Sequence, residues 1–202
     1  MYVLSLDQRI DRLAALTRTR KIDELDIEAD TYPQLLAAFQ SLLPLNDLRL
    51  LLAGNAVFAW MPTQSQLQVN KLPDAIAILK RVLECDESLT ENDVRFLAET
   101  FQTQRGKSVV AVSKILHFFA PARFPIWDRR VCKTWGRPAS GTAAPKDYVE
   151  FREACYQVTG NPSGLAVCRS FRQRLSDAGF DYPMTDMRII ELILFLQDES
   201  PR

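Results

Sequence analysis

The chain reads as an all-α protein, on three observations. Apolar residues recur every three or four positions through most of its length. The apolar runs are bounded by Ser, Thr, Asp, Pro and Gly where helices start and stop. No stretch alternates with period two for long enough to read as a strand. The pattern suggests two helical lobes, residues 1–88 and 89–202, forming one compact unit, because nothing between them has the composition of a flexible linker.

Each helix has its own justification. Ile10, Leu13 and Leu16 form an apolar stripe behind Asp7. Residues 31–44 form another, with Thr31 as a cap candidate and Pro33 in the first turn. A third runs through 45–62 and stops at Pro62. The segment 71–84 starts with Pro73 and Asp74, both suited to a first helical turn. Thr90, three residues before Asp93, resembles a capping box for a helix whose buried stripe is Val94, Leu97, Ala98 and Phe101. A tight polar break around Gly106 follows. Residues 108–119 are then apolar nearly all round, which predicts a central buried helix. Pro121 and Pro125 bound a short extended link, Asp128 opens the next helix, and that helix ends near Gly136. The stretch 136–147 is a surface loop rich in Gly, Pro and small residues. Three more helices are expected over 146–158, 163–178 and 184–198, the last behind Thr185.

Composition narrows the function classes. The chain has 202 residues, enough to bury a sizeable core. No apolar run reaches a membrane span and the N-terminus turns charged by Asp7, so neither a secretory signal nor a membrane partner is expected and the location reads as cytoplasmic. Cys85, Cys132, Cys155 and Cys168 form no C-x-x-C pair and there is one histidine, His117. Zinc-site spacing is absent, a disulfide framework is not expected at this size, and no metal or other cofactor is predicted. The oligomeric state is not legible.

Net charge is zero, but the distribution is uneven. Between Arg105 and Arg137 stand Arg105, Lys107, Lys114, Arg123, Arg129, Arg130, Lys133 and Arg137, with Asp128 as the one acid. That segment carries +7 and the remainder −7. A basic region on a neutral chain suits an anion-binding surface, since the local field matters more than the total. A solvated charge run is the plainer alternative.

The order from 89 to 136 is helix, glycine-containing hairpin, buried helix, Pro-bounded link, and an aspartate at a helix start. A hairpin between helices can offer backbone N–H groups to a phosphate, so the order reads as a nucleic-acid module. Ser113, Lys114 and His117 interrupt the apolar helix, and Lys107, just before it, lies one heptad from Lys114, so Lys107, Ala111, Lys114 and Phe118 are roughly aligned. A lysine on a buried helix needs a partner or a cleft. Asp128 could therefore be a structural cap and ion-pair partner of Lys114, or an acid that does chemistry. His117 reads as a satisfied core histidine or as a pocket residue, and Trp127 and Trp135 as core or as stacking platforms.

The block RGKSVVAVSKILHFFAPARFPIWDRRV (105–131) resembles the helix-hairpin-helix superfamily of DNA glycosylases, specifically a bacterial group with an 8-oxoguanine DNA glycosylase-like fold. SKILHF followed by FPIWD carries the resemblance, with AWMPT (59–63) upstream. It implies a two-lobed helical fold of that type, with DNA as partner and base excision by base flipping, a hydrolase activity. It implies that Asp128 stabilises cationic charge on the sugar, and that a lysine attacks the anomeric carbon if lyase activity is present. Lys107 stands nearest to that lysine's place, though a strict alignment puts Ser108 there; Lys114 is the alternative. Arg105, Gly106, Arg123, Arg129, Arg130 and Lys133 would contact phosphates, and His117 and Trp127 would line the pocket. The hairpin departs from the family pattern: it reads TQRGK, with a single glycine. The alternative function is a non-catalytic nucleic-acid- or partner-binding module on the same fold, for example in phage defence.

Overall fold

The computed structural model describes residues 4–18, 22, 26–61, 64–85 and 87–197. The architecture is mostly helical. In chain order the elements are α1 (Leu6–Thr17), α2 (Asp26–Ser41), α3 (Asp47–Trp60), β1 (Ser65–Leu67), α4 (Leu72–Glu84), α5 (Glu91–Thr100), β2 (Phe101–Thr103), β3 (Gly106–Lys107), α6 (Val109–Phe119), α7 (Arg129–Trp135), α8 (Ala144–Thr159), α9 (Pro162–Asp177) and α10 (Asp186–Phe195). None of the described helices is long and apolar enough to cross a membrane.

The helix boundaries follow local chemistry. Ser5 and Gln8 form a reciprocal capping box on α1, and Thr90 and Asp93 form the one expected on α5. Asn46, Ser108, Asp128, Asn161 and Thr185 each accept a backbone N–H at the start of their helices. Gly136 ends α7 at φ +80°, a conformation that costs other residues more.

Two expectations about secondary structure are corrected. Thr31 does not cap α2; the helix begins at Asp26 and runs through Pro33. Proline there removes one N–H from the helical ladder. The chain is also not purely helical. β1, β2 and β3 form a small antiparallel sheet in that order, with Gln66 opposite Gln102 and Gln102 opposite Lys107. The polar break is thus a β-hairpin turned through Gln104 and Arg105, with Gly106 opening β3 at φ +99°. Each strand is two or three residues long, too short for period two to stand out.

α6 and α10 form the centre. Every residue of α6 except Val110 is buried, as is every residue of α10 except Asp186. One continuous core runs from Ile10 to Leu196 and crosses the 88/89 boundary, and α1 packs against α8, α9 and α10. Cys132, Cys155 and Cys168 are buried free thiols held in the thiol form by desolvation, and Cys85 is an exposed free thiol.

Candidate functional site: a tethered link ending at Asp128

Residues 120–128 are neither helix nor strand, yet Phe124, Pro125, Ile126 and Trp127 are buried. Buried irregular backbone needs hydrogen-bond partners. Side chains from three helices and the Thr185 cap supply them. Thr185 Oγ1 donates to Pro121 O at 2.8 Å, and Arg152 Nε to Arg123 O at 3.1 Å. His117 Nδ1–H donates to Phe124 O at 2.6 Å. Glu191 Oε2 accepts from Ile126 N at 3.3 Å, and Ser113 Oγ accepts from Trp127 N at 2.9 Å. The link is fixed along its length, and Asp128 is its last residue.

Asp128 is half-buried and caps α7 with a single oxygen. Oδ1 accepts from Arg130 N at 2.7 Å and from Val131 N at 3.4 Å. Both cap bonds go to Oδ1, and among the described residues Oδ2 takes no part in the cap. Cap and reactive carboxylate are therefore compatible roles in one side chain.

The Ser113–Trp127 bond joins α6 to the link one residue before Asp128. Lys114 is 9% exposed, with Nζ 4.3 Å from the centre of the Trp60 ring. Among the described residues no ion pair joins Lys114 to Asp128, so the cap role holds and that salt bridge does not.

Lys107 lies elsewhere in the fold. It belongs to β3, before α6 begins, so it does not extend the α6 stripe. Its Nζ pairs with Glu99 Oε1 at 2.6 Å, while Glu99 Oε2 takes Lys71 at 3.0 Å. These two ammonium groups hold the Glu99 carboxyl below its usual range.

The other expected site residues divide into surface and interior. Arg105 is exposed at the hairpin turn beside Gly106, and Arg129 and Lys133 are exposed on α7. Arg130 is half-buried, its guanidinium 4.9 Å from the Phe195 ring. Arg123 donates to Leu83 O at 3.2 Å, and Arg137 pairs with Asp147 at 3.3 Å. The basic segment is thus partly a surface and partly internal scaffolding.

His117 and Trp127 are core residues at 0% exposure, so the core reading of each holds and the pocket role that the resemblance implies does not. His117 Nδ1 carries the proton given to Phe124 O, so Nε2 accepts from the Tyr32 hydroxyl at 2.6 Å. Burial, then the charges of Arg188 and Lys114, push its pKa down to about 3, so the ring is neutral. Trp127 packs against Tyr148 and Phe151 and is fully buried, so it offers no face to a base.

Sequence reasoning missed Ser113 as a tether and the pair Arg188–Glu191, buried at 1% each. Arg188 also lies 4.4 Å over the Tyr32 ring. The signal was available: two charged residues inside the apolar run 187–196 must be paired to be buried. Of AWMPT, Ala59, Trp60 and Met61 are described and Pro62 and Thr63 lie outside the described residues. Among the described residues no group of His, Cys, Asp and Glu side chains is placed to hold a metal ion. One surface cavity lies between α1 and α9 at Thr17, Arg18, Ser170 and Arg174, and another beside the link at Pro121, Tyr182 and Thr185; Asp128 lines neither. In comparisons with known proteins, no family model, no curated protein and no solved structure matches this chain.

Proposed function

We propose that this chain is a DNA N-glycosylase-like protein of helix-hairpin-helix type, acting on a modified base flipped out of the duplex. One observation carries the reading: Asp128 sits at the end of a link tethered by five side chains and spends only Oδ1 on its cap. Cleaving an N-glycosidic bond builds positive charge on the sugar, and a fixed carboxylate stabilises that charge without reorganising during the reaction. Oδ2 fills this role and also orients the attacking water. Arg129 and Lys133, exposed on the helix that Asp128 opens, suit the flanking phosphates.

The lysine placements favour simple hydrolysis over lyase chemistry. Lys107 is engaged with Glu99 on the hairpin, and Lys114 lies buried over Trp60. Neither arrangement resembles a free amine waiting for a sugar. A second reading, a non-catalytic binder, draws support from the exposed cations Arg105, Arg129 and Lys133, which serve binding whether or not Asp128 reacts. Base release from oligonucleotides carrying a panel of modified bases separates the two. Release by the wild type supports the glycosylase; tight binding without release across the panel supports the binder.

A further inference from the structure

The outer face of the small sheet is built from amides. Gln64, Gln66 and Gln68 alternate along β1 and its flanks, and Gln102 and Gln104 alternate along β2 and the turn. Successive strand residues point to opposite faces, so each set shares one side. The register puts Gln66 opposite Gln102 and Gln102 opposite Lys107, which places all of them on the same face. A side-chain hydrogen bond from Gln104 to Gln64 continues the ladder by one row. The other face carries Leu67 and Phe101, which close on α3 at Gly54, where a Cβ would lie 2.9 Å from Leu67 Cδ1.

The amide face is solvent-facing: Gln64, Gln66 and Gln104 are exposed. Gln102 is oriented by a bond from Nε2 to Glu99 O at 2.9 Å. Around it stand Arg105, Lys107 and Lys71, with Glu99 as the neighbouring carboxylate. The rim is therefore net positive, which complements a polyanion. The paired strand positions of the face hold no aromatic ring, so they are not a stacking platform for single strands. Each glutamine offers a donor and an acceptor side by side, the pattern that pairs with adenine N6 and N7 in the major groove. β1 and β2, about 4.8 Å apart, present the reading glutamines to a groove about 12 Å wide, with β3 alongside as the third strand.

We infer that this face reads base edges in the major groove of duplex DNA, with Gln66 and Gln102 as readers and Arg105 and Lys107 as phosphate contacts. The inference rests on the nucleic-acid reading above and adds sequence preference to it. The test begins with selection from a randomised duplex pool by the full chain. Affinity for the selected duplex and for a scrambled one is then measured across a salt series. The wild type should prefer the selected duplex, and Gln66→Ala/Gln102→Ala should reduce that preference by roughly tenfold or more. Its salt slope should stay unchanged, because amides release no counterions, whereas Arg105→Ala should lower the slope by about one. A double variant that keeps the wild-type preference overturns the inference, as does a wild type that binds every duplex equally. A wild type that binds no duplex overturns the nucleic-acid reading itself.

Discussion

Ser113 Oγ accepts the backbone N–H of Trp127 at 2.9 Å, and this bond joins the central helix to the link that ends in Asp128. The same hydroxyl donates to Val110 O at 2.9 Å, so its direction is set from both sides. Ser113→Ala leaves the Trp127 N–H buried without its acceptor. The expected cost is about 1–3 kcal/mol. At this chain size each kcal/mol lowers Tm by roughly 2–4 °C. Chemical denaturation of the two proteins measures it, and an unchanged midpoint would show that the tether contributes nothing.

Asp128 separates cap from chemistry through two substitutions. Asparagine retains an Oδ1 that can cap α7, so Asp128→Asn should melt within a degree or two of the wild type. Alanine has no acceptor, and Asp128→Ala should lose about 1 kcal/mol. Calorimetry on both variants checks this, and an Asn variant as unstable as the Ala variant would mean that the carboxylate charge, not the cap, holds the helix.

His117 gives a prediction readable without any substrate. It is the chain's only histidine, so its ring protons form one identifiable pair of NMR signals. With a folded pKa of about 3, these should not move between pH 8 and 5. The unfolded chain has the ordinary pKa of about 6.5, so between about 6.5 and 3 it binds more protons than the folded one. Stability is therefore complete above about pH 6.5 and falls as the pH drops toward 3, with a limiting slope of about 1.4 kcal/mol per pH unit from this group. A midpoint near 6.5 in the folded protein would contradict the neutral buried ring.

Gly164 is needed where α9 approaches the end of α8. A Cβ there would lie 2.1 Å from Val158 O and 2.9 Å from Val158 Cγ1. Backbone on one side leaves little room to yield, so Gly164→Ala should destabilise by about 1–3 kcal/mol or more. Thermal melting tests it, and a neutral substitution would show that the two helices are free to shift apart.

The parts of the fold legible in the sequence were those fixed by local chemistry. The Thr90–Asp93 box, the Thr185 cap, the Asp128 start and the Gly136 stop all depend on residues within one turn. The buried helix over 108–119 was legible from its apolar composition. Pro33 misled because proline marks a first turn on average, while α2 tolerates it inside. The sheet escaped notice because its alternation, Gln-Ser-Gln-Leu-Gln over 64–68, is brief and pairs with residues more than thirty positions away.

The site was legible in its end point and not in its supports. Asp128 stood out as the lone acid of a basic segment. Its tethers come from residues such as Ser113, Arg152, Thr185 and Glu191, which the link meets only once α6, α8 and α10 have packed. The heptad spacing aligns Lys107 with Lys114 only on a continuous helix, and α6 starts behind its N-cap at Ser108, leaving Lys107 on β3.

The most direct test of the central claim is single-turnover release of free base from modified duplex DNA, comparing wild type with Asp128→Asn at matched thermal stability. The expected result is release by the wild type and a loss of at least a hundredfold in the variant, with duplex affinity retained, as removal of a charge-stabilising group costs elsewhere. Equal release by the two proteins would contradict the account, and Asp128 would then be a helix cap and nothing more.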